Sequence, residues 1–378
     1  MIYLDYAATA PLRPAIAAAL GEMHGETLGN PSSLHRAGRR ARYHLEQARE
    51  RCANALGAKV EEVVFCSGAT EADNLALLGP LWHDDARHRG LITSALEHAA
   101  VYETAQKARF LGQDVTWLQV TSQGQVDLDS LRDALIAQPR SLVSVMACNN
   151  EVGSRQPLEA VSALCREHGS LLHVDAVQEP AAAVHLIREG MVDLLTLSGH
   201  KMGGLPGGLL YVRQGVPLAP QIVGGAQEDG RRAGTSEVMR SVSLALALEL
   251  TLADSSGAAG KAREILDQRL SNLPEAHRLG PERLEERADH ISSWLFGGLR
   301  AEPILAALDM KGVCASSGSA CSSHAIEPSR VVQAMGFADQ AMGLVRFSTG
   351  WNSDEEQARR AADLVEETVL KMREKVKR

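Results

Sequence analysis

Aromatic residues are scarce. They make up 4% of the 378 residues, too few to provide the stacking platforms on which single-stranded nucleic acid is bound. Basic charge is short as well. The 39 Lys and Arg are outnumbered by 47 Asp and Glu, for a net charge of −8 and a pI near 5.9. That balance argues against nucleic acid or an anionic membrane surface as a direct partner. No apolar run approaches the ~20 residues of a membrane helix. The start, MIYLDYAATAPLRP, has no basic segment leading into an apolar one, so no signal peptide is expected. The six cysteines (Cys52, Cys66, Cys148, Cys165, Cys314, Cys321) include no CxxC pair and no zinc-finger spacing. In a chain of this length they read as free thiols in a reducing cytoplasm, not as a disulfide framework. Internal repeats and low-complexity tails are absent. No GxGxxG follows the first strand, which removes a dinucleotide-binding dehydrogenase.

What is present describes a globular α/β protein. Hydrophobic residues are 45% and charged residues 23% of the chain, enough to build a sizeable core in two domains or one large one. Short apolar runs predict strands at 61–66, 91–95, 114–120, 142–146, 171–177, 193–198 and 208–213. Helical patterns lie between them at 71–78, 99–111, 128–137 and 158–169. Near-continuous apolar strands alternating with helices predict a mainly parallel sheet covered on both faces, with ligands at the carboxyl ends of its strands. A long helical pattern over 236–271 weakens at SSGAAG (255–260), and a domain boundary is placed near 255–262. The last helix is expected from about Ser353, capped by SDEE; the basic end KMREKVKR complements its dipole.

Several polar motifs follow strands. Ser198-Gly199-His200-Lys201 comes after DLLTL. An arbitrary lysine is usually exposed, but one at a buried strand end beside glycines is partly desolvated, which suits imine formation with a carbonyl. Asp175 ends the strand LLHVDAV. It either caps the next helix or meets a cation, and a pyridinium nitrogen is a suitable one. Gln178 follows three residues later. CSGATEADN (66–74) turns at Gly68 into a helix that opens at Ala69 and Thr70, which is a plain cap or an anion site for a phosphate ester. His98 after LITSAL, Asn149-Asn150 after LVSVMAC, and Thr235 in GGAQEDGRRAGT (224–235) complete the set. None is decisive alone. Jointly they supply an amine, a carboxylate, a phosphate cradle, a stacking imidazole and amides, which is what a pyridoxal 5′-phosphate site requires.

The stretch GVCASSGSACSSHAIEPS (312–329) carries two thiols among small residues. Cys321 is either incidental or a nucleophile on a segment able to travel to a bound ligand. Cys314, in an apolar context, reads as buried and inert. Arg346 in LVRFSTG is suited to a bidentate grip on a carboxylate, against the alternative of a surface salt bridge.

These motifs together resemble the group I cysteine desulfurases, the NifS/IscS type of pyridoxal-phosphate enzyme. The likeness runs through YLDYAATAPL (3–12), GNPSSLH (29–35), SGATEADNLAL (67–77), EHAAV (97–101), NNEVG (149–153), HVDAVQ (173–178), SGHK (198–201), GGAQEDGRRAGT (224–235), SSGSACSS (316–323), EPSRVVQAMG (327–336) and VRFSTG (345–350). SSGSACSS separates this group from selenocysteine-lyase-like desulfurases and ordinary aminotransferases. One departure stands after the lysine, where MGGLPGGLLYVR replaces the family's Gly-Pro-x-Gly turn and is one residue shorter. The tail is also shorter than in members that dock iron–sulfur scaffolds.

The resemblance implies a fold-type I enzyme: a large domain (13–257) with a mainly parallel seven-stranded sheet between helices, and a smaller α+β domain (1–12 and 258–378) carrying the cysteine loop. It implies that Lys201 holds the cofactor and moves protons. It gives Asp175 the pyridinium nitrogen, Gln178 the phenolic oxygen, and His98 a stacking and proton-transfer role. The phosphate falls to Ala69, Thr70, Ser198, His200 and Thr235 of the other subunit in a homodimer. Asn150 and Arg346, with Asn30, hold the carboxylate of L-cysteine, and Cys321 takes the sulfur before passing it to a thiol-bearing acceptor for iron–sulfur assembly or thiolation. Two alternatives stay open on the sequence: a selenocysteine lyase or cysteine β-lyase needing no protein thiol, and a sulfur carrier or scaffold that has lost catalysis.

Overall fold

The computed structural model describes residues 1–24, 29–83, 90–318 and 328–376. All seven strands expected between residues 61 and 213 are present, in one sheet. Across the sheet the order is Val63–Cys66, Gly208–Val212, Leu194–Ser198, Leu171–Asp175, Leu142–Ser144, Gly90–Ser94, Asp114–Leu118. Only Gly208–Val212 runs antiparallel to its neighbours. The strands are apolar on both sides because both sides are covered. Leu172, Val174, Leu195, Leu197 and Leu209 enter one core, while Leu171, Leu194, Leu210 and Val212 enter the other. Adjacent side chains of a strand point to opposite faces, so burial of both faces removes the polar alternation.

On the second of these faces lie the helices Ala69–Leu81 and Ala99–Phe110, through Leu75, Ala76, Val101 and Ala105. The first face packs against helices that include Arg36–Leu56 and Val238–Leu252, which also pack on each other.

A smaller α+β unit has its own core. The strands Leu344–Ser348, Ile291–Phe296 and Ala276–Arg278 form an antiparallel sheet in that order, and Ile2–Tyr3 pairs in parallel with Val313–Cys314. Trp294, Phe296 and Phe347 are buried there against Leu266, Ile304 and Val365 from the helices Ala258–Leu270, Ala301–Met310 and Glu355–Val376. The chain's start belongs to this core through Ile2 and Leu4.

The long pattern over 236–271 is two helices, Val238–Leu252 and Ala258–Leu270, and Gly257 between them is left-handed at φ 63°. The final helix is capped by Asp354, whose carboxylate accepts from Glu356 N and Gln357 N; the Ser353 hydroxyl accepts from Gly350 N instead. Three strands end two residues earlier than the apolar runs suggest, at Leu118, Ser144 and Asp175. The chain there turns outward, although Val145 N and Ala147 N still donate to the carbonyls of His173 and Asp175. Among the described residues no helix is long and apolar enough to cross a membrane.

Candidate active site

The carboxyl ends of the parallel strands deliver the polar residues to one edge of the sheet. Cys66 leads through Ser67 and Gly68 into the helix Ala69–Leu81, whose N-cap is Gly68 with no side chain to cap it. The leading N–H groups of a helix opened this way are suited to an anion. Two details set this turn. Glu71 accepts from Ser67 N at 2.8 Å and from Arg232 Nε at 2.6 Å, so its charge is engaged and points back along the loop. Gly208 of the neighbouring strand lies so close that a Cβ there would stand 2.3 Å from the Gly68 carbonyl oxygen. Thr235 is exposed and lines a cavity with Ser67, Gly207, Gly208 and Arg232.

His98 caps the next helix. Its Nδ1 accepts from Ala100 N at 3.1 Å, which leaves Nε2 to carry the proton of the neutral ring. Burial lowers its pKa, Asp175 opposes this, and Lys201 and Arg330 add to it. Asp175 is 5% exposed, and its Oδ1 accepts from Val177 N at 3.0 Å. Burial raises its pKa against the opposing pull of His98, the Val177 N–H and Lys201. Mutual influence of this kind places His98, Asp175 and Lys201 in one electrostatic neighbourhood.

Lys201 sits in the short turn Gly199–Met202 after Ser198. Its Nζ donates to the carbonyl oxygens of Ala7 and Ala8 at 2.5 and 2.7 Å. Gln178 Nε2 donates to the same Ala7 oxygen at 2.9 Å, and Gln178 Oε1 lies 3.2 Å from His290 Nε2. Lys201, Gln178, His290, Tyr6 and Trp351 line a cavity of ≈ 530 Å³. The turn after the lysine, which departs from the family pattern, is well tied. Gly203 is left-handed at φ 83°, and a Cβ there would meet Arg13 Cγ at 2.8 Å. His200 Nδ1 is 3.1 Å from Thr9 Oγ1, and burial with Lys201 beside it pushes His200 down to about 4.

Arg346 is buried, 2% exposed, which rules out the surface salt bridge. Nη2 is 2.9 Å from Asp5 Oδ1, and Nη1 donates to the Asn150 carbonyl at 2.8 Å. Among the described residues its Nε is buried with no hydrogen-bond partner. A buried guanidinium with a spare N–H is prepared for one more acceptor, and a carboxylate suits it best. Asn30 is exposed, with its Oδ1 accepting from Ser32 N. Among the described residues nothing bonds it to Arg346 or Asn150. Cys321 lies outside the described residues. Cys314 is half-buried rather than buried, although Val313 beside it in the same short strand is fully buried.

Sequence patterns gave no role to Asp5, Asp73, Glu97 or Arg330, all of which meet this region. Burial pushes the Glu97 carboxyl up to about 8, although Met146 N donates to it at 3.1 Å. Arg330 reaches the carbonyls of Ala95 and Glu97 and lies over the Tyr102 ring. The only hint of Asp5 is its place in YLDYAATAPL. Among the described residues no cluster of His, Cys, Asp and Glu could hold a metal ion. The donor set instead fits pyridoxal phosphate: an amine, a buried carboxylate for a ring nitrogen, an imidazole, and an uncapped helix start for a phosphate.

Comparison with known proteins agrees with this geometry. Residues 2–360 match the class-V aminotransferase family. A cysteine desulfurase IscS of Dictyoglomus turgidum is 36% identical over 378 residues, covering 98% of this chain and 95% of that protein. A solved NifS-like protein superposes with a TM-score of 0.87 at 32% identity, covering 98% of this chain and 99% of its own. A structure of SspA in complex with cysteine gives 0.78 at 29% identity, covering 92% and 98%. The chain belongs to the class-V aminotransferases, among the IscS/NifS-type cysteine desulfurases.

Proposed function

We propose that this chain uses pyridoxal phosphate to take the sulfur of L-cysteine onto Cys321, releasing L-alanine, and then passes it to a thiol-bearing acceptor. The observation that carries this reading is the convergence of His98, Asp175 and Lys201 at the carboxyl-end edge of one parallel sheet, beside a buried Arg346 with an N–H to spare. The SspA relative solved with cysteine supports the choice of substrate.

Pyridoxal phosphate supplies an aldehyde that holds the amino acid and a protonated ring that withdraws electrons from its Cα. Lys201 Nζ is the covalent anchor and, once freed, moves the proton at Cα. Its contacts with the Ala7 and Ala8 carbonyls hold it at the end of its strand in the meantime. Asp175 keeps a charge opposite the ring nitrogen, His98 stacks and exchanges a proton through Nε2, and Gln178 meets the phenolic oxygen. Ala69, Thr70, Ser198 and His200, with Thr235 of a second subunit, receive the phosphate. Arg346 and Asn150 orient the carboxylate of the substrate, with Asn30 closing over it.

The Cys321 thiolate then forms a bond to the substrate sulfur while the carbon–sulfur bond breaks, its electron pair going to carbon, which takes a proton. One thiol and one cysteine become one persulfide and one alanine, so no outside oxidant is needed. The test is C321S. This variant is expected to keep the cofactor and its response to L-cysteine and to lose alanine and sulfide production. Undiminished turnover in C321S, or survival of activity after thiol alkylation, would establish the thiol-independent lyase instead. Uptake of labelled sulfur identifies the acceptor.

A further inference from the structure

One face of the central sheet changes character along its strands. On the side covered by Ala69–Leu81 the strands start with Leu91, Leu142, Leu171 and Leu194. Toward their carboxyl ends the same side carries Thr93, Ser144, His173, Asp175, Thr196 and Ser198, all buried. His173 is fully enclosed. Its Nδ1 lies 2.9 Å from Ser144 Oγ and its Nε2 lies 3.1 Å from Thr196 Oγ1.

Asp73, from the first turns of the covering helix, completes this layer. It is 1% exposed, its Oδ1 is 3.6 Å from His173 Nε2, and among the described residues neither oxygen completes a well-formed hydrogen bond, Thr196 being close enough only to lower its pKa. Thr196, beside it, is the cross-strand partner of Asp175. Asp73 and Asp175 therefore share one dry layer, and the other charged group that acts on Asp73 is again a carboxyl, Glu97.

An ionised carboxylate in such a place lacks both solvent and a counter-ion, and protonation is the cheaper outcome. Burial and the neighbouring Asp175 push the Asp73 carboxyl well above its ordinary range, while burial pushes His173 down to about 3. A second negative charge in the layer would also drive a proton onto Asp175 and remove the counter-ion of the ring.

We propose that Asp73 is a positioning residue: an uncharged carboxylic acid held against His173 and Thr196, it keeps the negative charge of this layer on Asp175. The proposal rests on the reading of Asp175 as the partner of the ring nitrogen. Two measurements test it. In the cofactor-free protein at neutral pH, infrared difference spectra are expected to contain a protonated-carboxyl stretch that D73N abolishes. With cofactor bound, D73N, which has the shape of the neutral acid, is expected to leave the pH midpoint of the visible absorption unmoved. D73V, uncharged as well, is expected to leave that midpoint unmoved too. The proposal is overturned if D73N abolishes no such stretch, or if D73N or D73V moves the midpoint as far as D175N. A midpoint unmoved in D175N would instead refute the ring-nitrogen reading, and the infrared result on Asp73 would still stand.

Discussion

Arg346 Nη2 stands 2.9 Å from Asp5 Oδ1, and two and three residues later the carbonyls of Ala7 and Ala8 hold Lys201 Nζ. One short segment at the start of the chain thus aims both cations of the site. On the proposed reading the substrate's carboxylate and its α-carbon would be addressed by side chains from different cores, Arg346 in the smaller sheet and Lys201 on the larger, and this segment fixes their relation.

Replacement of Arg346 therefore acts on substrate binding. A hydrogen bond to a charged group contributes about 1.5–3 kcal/mol, or roughly 10–100-fold in affinity. R346K keeps the charge and loses the planar fork. It is expected to raise KM for L-cysteine by about that factor while the cofactor stays bound, and D5N to raise it by less. Steady-state KM and kcat with the visible spectrum as a loading control check both.

The phosphate turn depends on the absence of a side chain at Gly208. A Cβ there would stand 2.3 Å from the Gly68 oxygen, backbone against backbone, with nothing flexible to yield. G208A is expected to displace the start of the helix Ala69–Leu81 and to weaken cofactor binding at least tenfold, about 1.4 kcal/mol. A fluorescence titration of the cofactor-free protein measures this, and G68A, where a Cβ meets nothing within 4 Å, is the control.

Part of this site is legible in the sequence and part is not. Lys201, Asp175 and His98 are legible because each ends an apolar strand, where a polar residue has no packing reason to be. The pairing of Arg346 with Asp5 is not, since 341 residues separate them and no local period encodes the contact. Asp73 is hidden for a related reason. In TEADN it looks like first-turn charge on a helix, and only the packing of that helix on the sheet reveals that it points inward. Cys314 misleads in the opposite direction: its strand neighbour Val313 faces the core, and the alternation of a strand turns the next side chain the other way. The strand ends at 118, 144 and 175 fall short of the apolar runs because hydrophobicity continues into the turns that build the site.

Acid should remove the stability that a neutral, buried His173 contributes. Burial holds its folded pKa down at about 3, whereas an unfolded histidine takes its proton near 6.5. Its contribution to stability is whole above the unfolded value and falls as pH drops from there toward 3, since the unfolded chain binds the extra proton. The slope is at most about 1.4 kcal/mol per pH unit. His98, His200 and His290, also lowered by burial, act in the same direction. The buried carboxyls of Asp73, Glu97 and Asp175, raised by burial, act in the opposite direction, so the expected outcome is a difference: the urea midpoint of the cofactor-free protein falls relative to that of H173Q from pH 6.5 to 4.

The covalent anchor is open to direct labelling. Borohydride reduction of the cofactor-loaded protein is expected to fix pyridoxal phosphate on the peptide containing Lys201, and K201A to retain no label.

The most direct measurement is mass spectrometry of the protein after exposure to L-cysteine without an acceptor. One additional sulfur atom on the peptide bearing Cys321, formed in step with one alanine and missing from C321S, is the expected result. Alanine released at the normal rate while Cys321 stays unmodified would contradict the account.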